Sequence, residues 1–173
     1  MKKALFVLVV CMLCGSVNAT TPEYDIKQIK DCQENLKCDT NGELLSGVVK
    51  EYDENENLKS ETSYSKGKIN GDAKTYYDNG NLKSEERYVY GAKVGKSRFY
   101  YRTGELKAEV IYKNGKKNGY SKVYYEEGDL KAEILYRNGK AISGNLYDDY
   151  GKKIEMTNAH LHTVNKGKLP KIE

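Results

Sequence analysis

Four carboxylates, Glu61, Glu85, Glu109 and Glu133, recur at one interval, and paired carboxylates are the machinery of glycoside hydrolysis. Here each follows a basic residue at constant spacing: Lys50, Lys74, Arg98 and Lys122. A partner that recurs with every acid makes the pair structural, a cross-strand ion pair in place of a catalytic dyad. His160 and His162, the only histidines, would share a face on a strand, and two ligands without a third are a poor metal site. Cys32 and Cys38 stand in DCQENLKCD, without C-x-x-C redox spacing and without a second ligand pair. DDYGKK (148–153) lacks the spacing of a calcium loop. Neither a Ser/His/Asp order nor a phosphate-cradling glycine loop is visible, so the chain reads as non-enzymatic, with no cofactor and no metal. The remaining chemistry is that of tyrosine beside lysine. Tyr76, Tyr100 and Tyr124, each read as facing Lys83, Lys107 or Lys131, are the candidate binding residues, placed to stack on sugars or grip a peptide.

These tyrosines open three related stretches, YYDNGNLKSEERYVYG, YYRTGELKAEVIYKNG and YYEEGDLKAEILYRNG, each 24 residues after the last. Gly47, Gly71, Gly95 and Gly119 keep the same interval, and an incomplete fifth unit opens at Gly144 after one inserted residue. A period of this length marks a stacked repeat architecture. Within a unit apolar and polar residues alternate, and two such runs around a glycine-containing turn make a β-hairpin. A two- or four-residue loop places Tyr77 opposite Leu82, Tyr101 opposite Leu106 and Tyr125 opposite Leu130. It also sets Gly71, Gly95 and Gly119 against Tyr88, Tyr112 and Tyr136, and each acid against the base before it. A three-residue loop slides the partners by one and breaks these pairings. The expected fold is all-β: a repeat array of antiparallel β-hairpins, 24 residues per unit, forming an elongated, twisted, single-layer meander. One face is charged. The other is apolar, carrying Tyr77, Leu82, Tyr88, Phe99, Leu106, Val110, Tyr112, Val123, Leu130, Ile134 and Tyr136. A single layer cannot bury that face alone, so it must curl, self-associate or accept a partner.

The ends differ from the array. Lys2 and Lys3, the apolar run ALFVLVVCMLC and the small residues Val17 and Ala19 give residues 1–19 the form of a signal peptide cleaved after Ala19. Cys11 and Cys14 follow Val10 and Leu13, not the small residue that precedes a lipid-modified cysteine, which disfavours a lipoprotein. The run is short for a bilayer, so the mature chain has no expected transmembrane segment. The expected location is the periplasm, the cell envelope or outside the cell, where Cys32 and Cys38 would form a disulfide. Residues 20–46 form an N-terminal cap, since NGELLSG (41–47) resembles NGKAISG (138–144) and NLKCD (35–39) echoes NLKSE (57–61). Ile26 and Ile29 permit a short helix or strand over the first hairpin. Residues 47–144 are the array, and 145–173 a degenerate repeat ending in a mobile tail, TVNKGKLPKIE. With 16 Tyr, 2 Phe and no Trp, tyrosine must do much of the packing. Cleavage removes two lysines and no acid, leaving 27 basic against 25 acidic residues, too small an excess to suggest nucleic acid as a partner.

The units YYDNGNLKSE, YYRTGELKAE and YYEEGDLKAE, linked by YKNGKKNG, resemble the bacterial variant of the MORN repeat, which also defines proteins labelled YwqK-type antitoxins. The resemblance covers roughly residues 47–144 and implies an elongated hairpin array used for binding. It also implies two functions, association with membrane lipid and neutralisation of a toxin. The expected role is a protein-binding scaffold in the cell envelope. The alternatives are an antitoxin or immunity protein against a cognate toxin, and a cell-wall carbohydrate binder that uses the outward tyrosines.

Overall fold

The computed structural model describes residues 21–32 and 36–171; the signal-peptide reading of residues 1–19 lies outside them. Among the described residues, thirteen strands form one open sheet whose order follows the chain. An edge strand β1 (Glu23–Asp25) precedes a one-turn 3-10 helix (Ile26–Gln28) and a small hairpin of β2 (Lys30–Asp31) and β3 (Lys37–Cys38). The array follows as β4 (Gly47–Tyr52), β5 (Leu58–Ser65), β6 (Lys68–Tyr76), β7 (Leu82–Val89), the short β8 (Ala92–Lys93) and β9 (Gly95–Tyr100). It continues through β10 (Leu106–Lys113), the short β11 (Lys116–Lys117), β12 (Gly119–Tyr124), β13 (Leu130–Arg137), β14 (Lys140–Tyr147) and β15 (Lys153–Glu155).

Units are joined by two-residue turns. Lys66-Gly67, Tyr90-Gly91, Asn114-Gly115 and Asn138-Gly139 all have positive φ at both positions, the hairpin turn whose twist matches that of its strands. Through the strand bodies the expected register is found. Lys50, Lys74, Arg98 and Lys122 pair with Glu61, Glu85, Glu109 and Glu133, and Gly71, Gly95 and Gly119 with Tyr88, Tyr112 and Tyr136.

The structure differs at the turns inside the units. Tyr77 N–H donates to Asn81 O at 2.8 Å and Gly80 N–H to Tyr77 O at 2.9 Å, which encloses a three-residue loop. The same bonds close the loops at Tyr101 and Tyr125. Tyr76, Tyr100 and Tyr124 therefore stand opposite Leu82, Leu106 and Leu130, in place of Tyr77, Tyr101 and Tyr125. A β-bulge one residue further in takes up the odd residue, so the strand bodies return to the expected register. The extra residue is Lys83, Lys107 or Lys131. These lysines are consequently not opposite Tyr76, Tyr100 and Tyr124.

The ends are more ordered than the sequence suggests. β1 extends the sheet by pairing parallel with β4 at its edge, without lying over it. Cys32 and Cys38 form a disulfide, with Cα atoms 5.9 Å apart, that ties β3 to the segment before it. Gly144 does not open a fifth unit in the manner of Gly119: it pairs with Ile134, which puts it in the row of Ser121. Thr163–Asn165 of the expected mobile tail belong to helix α1 (Asn158–Asn165), so the histidines lie on a helix and not on a strand. Thr157 caps α1, accepting from His160 N–H at 3.3 Å while His160 Nδ1 accepts from Thr157 N–H at 3.2 Å. Val164 and Leu161 of α1, with Met156, cover Ala132, Ile134, Tyr136, Ala141 and Leu146, the main buried cluster. Asn165 holds both backbone groups of Ala141 with its side-chain amide, at 2.8 and 3.2 Å.

Candidate functional site

Successive strand pairings line residues up in rows across the sheet. One row runs Lys50, Glu61, Lys74, Glu85, Arg98, Glu109, Lys122, Glu133, alternating in sign at every step. Arg98 sits between two acids, with Nη1 2.6 Å from Glu85 and Nε 3.2 Å from Glu109. Its hydrogen bond to Glu85 holds that carboxyl below the usual range. Burial alone would raise Glu109, but Lys96 and Arg98 outweigh it and lower its pKa. A two-residue slip of a strand would part these opposite charges, so this face favours one register.

The opposite face carries the candidate site. Its middle rows hold mostly short side chains, interrupted by Phe99 and Glu86: Thr75, Ser84, Phe99, Ala108 and Val123 in one, Ala73, Glu86, Ser97, Val110 and Ser121 in the next. Ser97 and Ser121 are 0% and 3% exposed, and neither hydroxyl has a protein partner among the described residues. Tall tyrosines stand on both sides of this floor. Tyr88, Tyr112 and Tyr136 form one wall, with Lys93 Nζ 5.8 Å and 5.4 Å from the first two rings and Lys117 Nζ 4.9 Å from the third. Tyr77, Tyr101 and Tyr125 form the other, each ring carrying the bulged lysine of its own unit at 5.6, 5.3 and 4.4 Å. Small residues between two lines of rings make a trough, and the ammonium groups lie within cation–π range of its walls.

Each wall is braced by hydrogen bonds. Tyr77 hydroxyl donates to Tyr100 O at 2.8 Å, Tyr101 hydroxyl to Tyr124 O at 2.7 Å, and Tyr125 hydroxyl to Tyr147 O at 3.0 Å. The second, third and fourth units are thus each tied to the segment that follows, while the first has Asp53 at this position. On the other wall Glu86 accepts from Lys93 at 2.6 Å and from Tyr88 hydroxyl at 2.9 Å. Burial would lower Lys93, but the Glu86 carboxylate outweighs it and the ammonium's pKa ends raised. At Lys117 burial, then the charge of Lys93, push the pKa down. Lysines thus stand on both faces, paired with acids on one and beside tyrosine rings on the other.

The residues singled out in the sequence are divided between the faces. Tyr76, Tyr100 and Tyr124 lie half-buried on the charged face beside Leu82, Leu106 and Leu130, and Tyr100 hydroxyl donates to Glu85 at 3.1 Å. Burial, then Glu85, raises its phenol pKa. Lys83, Lys107 and Lys131 belong to the trough. Lys93 and Lys117 had no marker beyond their 24-residue spacing. That spacing was the available signal, because Leu45, Ile69, Lys93 and Lys117 are equivalent: each carbonyl accepts from a turn glycine, Gly67, Gly91, Gly115 or Gly139, at 2.7 to 2.9 Å.

No curated protein matches the chain. The family model of the MORN repeat variant matches it four times in succession, over residues 45–66, 69–90, 93–114 and 117–138. These matches begin at the four equivalent positions just named, and each spans one hairpin with its tyrosine wall. By the repeat it carries, the chain belongs to the MORN repeat variant family.

Proposed function

We propose that the protein is an exported, non-enzymatic scaffold of the cell envelope that holds a partner protein in the tyrosine–lysine trough. The observation that carries this reading is the trough itself, a face of rings and cations over small side chains. Among the described residues, covering elements sit at its two ends, where α1 packs on β14 and the N-terminal cap lies at the first hairpin. Aromatic rings that are already held in place bind at little entropic cost, and hydrogen bonds fix the phenols of this wall. Export is supported by the charge and apolar pattern of residues 1–19, and a disulfide at Cys32–Cys38 suits an oxidising compartment.

A photo-crosslinking residue in place of Lys107 tests the trough, with one in place of Arg87, exposed on the charged face, as the control. In the native host, position 107 should yield one discrete protein adduct that position 87 does not. Equal adducts at both positions, or none at either, would refute the reading. If the captured protein arrests growth when produced alone, the scaffold is an immunity protein, as the antitoxin alternative requires.

A further inference from the structure

The chain's own C-terminal segment packs beside one bay of the trough. Leu169 and Pro170 are half-buried, and Leu169 packs against the core of the last hairpin. Together with Tyr125, Lys131, Leu146 and Asp148 they line a cavity of about 450 Å³. Tyr125 and Lys131 are the fourth unit's ring and cation, and Leu146 is the floor residue opposite Ala132 on the next strand. The period builds the same bay twice more. Tyr101 and Lys107 face Val123, which stands opposite Ala108, and Tyr77 and Lys83 face Phe99, which stands opposite Ser84. Lys131 is half-buried where the tail lies, whereas Lys83 and Lys107 are exposed.

We propose that the two earlier bays take from a partner what the tail sets beside the last bay: an extended polypeptide segment presenting an aliphatic residue followed by proline. This rests on the scaffold reading and names what the scaffold holds. The aliphatic side chain meets Val123 or Phe99 on the floor, and the proline ring packs against a tyrosine. A polyproline-type segment is already stiff, so docking it in an aromatic-lined trough costs little conformational entropy. Its carbonyls have no internal hydrogen-bond partners, and the exposed ammonium groups of Lys83 and Lys107 supply donors. The spacing agrees. Neighbouring bays are two strands apart, about 9.6 Å at roughly 4.8 Å per strand. Three residues of polyproline helix advance about 9.3 Å at 3.1 Å each. The best ligand therefore repeats the aliphatic–proline pair every third residue and fills both bays at once.

The probe is the hexapeptide Leu-Pro-Gln-Leu-Pro-Gln, titrated into the full mature chain by calorimetry, beside a control with both Leu-Pro pairs replaced by Ser-Gly. Saturable binding is expected, at least about tenfold weaker for the control, since burying even one leucine side chain changes affinity by that much or more. Val123→Glu and, independently, the surface change Lys107→Glu should each weaken it, the second with the melting curve unchanged. No saturable binding, equal binding of the control, or indifference to both variants overturns the proposal. If the peptide fails while position 107 still crosslinks a partner, the ligand chemistry is wrong and the scaffold stands; if both fail, so does the scaffold.

Discussion

Removing the hydroxyl of Tyr101 isolates the bond that joins one repeat to the next. In Tyr101→Phe the ring, its packing and the nearby Lys107 remain, and only the 2.7 Å bond to Tyr124 O is lost. A bond of this length is ordinary for O–H···O and is worth about 0.5–1.5 kcal/mol net. Water can reach the freed carbonyl at this half-buried site, which places the cost in the lower half of that range, about 0.5–1 kcal/mol. Tyr77→Phe and Tyr125→Phe remove the same bond in the neighbouring units. Sites this far apart add, so the triple variant should lose about 1.5–3 kcal/mol. At about 2–4 °C per kcal/mol for a chain of this size, its melting temperature should fall by about 3–12 °C. Because the bonds link units, their loss should also loosen the coupling between neighbours and broaden the urea transition followed by far-UV circular dichroism. Tyr120→Phe is the control, since Tyr120 is 58% exposed and should change nothing. A triple variant within about 0.3 kcal/mol of the parent, on an equally steep transition, would refute the reasoning, that being the noise expected for distant neutral changes.

Two glycines should respond differently to alanine. At Gly144 a Cβ would meet Glu133 O at 2.7 Å and Met156 Sδ at 3.0 Å, and the overpacking should cost about 2–3 kcal/mol in thermal unfolding. Gly95 has open space around it but a φ of +69°, so Gly95→Ala should cost about 1 kcal/mol, from backbone strain alone. Glu85 has a lowered folded pKa, so its stabilisation is present above the ordinary value of 4.5 and lost as pH falls through the folded value. Arg98→Ala should lower stability at neutral pH by about 0.5–1.5 kcal/mol, allowing for the exposure of both ion pairs, and flatten the acid limb of a stability–pH curve. Cys32→Ser should cost the cap about 2 kcal/mol, the chain-entropy value for so short a loop, seen as early protease cleavage before Gly47 while the array stays intact.

The strand bodies were open to sequence reasoning because opposite charges pair in every unit, and only one register brings Lys74 to Glu85 and Arg98 to Glu109 together. The loops were not. An even loop gives the same body register as a three-residue loop followed by a one-residue bulge, and charge pairing further along cannot tell them apart. The distinction lies in backbone geometry, with Gly80, Gly104 and Gly128 at positive φ closing each odd loop. This small ambiguity moved the candidate site, since the bulge sends Lys83, Lys107 and Lys131 to Tyr77, Tyr101 and Tyr125 on the opposite face from Tyr76, Tyr100 and Tyr124. Helix α1 was hidden for another reason. It is eight residues long, below the length at which helical propensity suffices, and tertiary packing of Val164 and Leu161 holds it in place. The cap of Thr157 by His160 uses an unusual partner at a position where glutamate or glutamine is the usual signal.

The two faces of the sheet divide the work of register and lining between them. The charged face specifies register, and it does so with pairs whose individual energies are small but whose mismatch is costly in every unit at once. The trough is thereby relieved of that task. At the four equivalent positions the side chain changes from Leu45 to Ile69 to Lys93 to Lys117, yet the hydrogen bond from the turn glycine keeps a length of 2.9, 2.7, 2.9 and 2.8 Å. The backbone is constant while its lining passes from apolar to cationic along the array. Leu45 is buried, Ile69 is a half-buried aliphatic residue on that wall, and the later two units place an ammonium beside tyrosine rings. A ligand lying along the trough meets a direction, not a uniform surface, and it is this gradient, rather than the repeat itself, that would select its orientation.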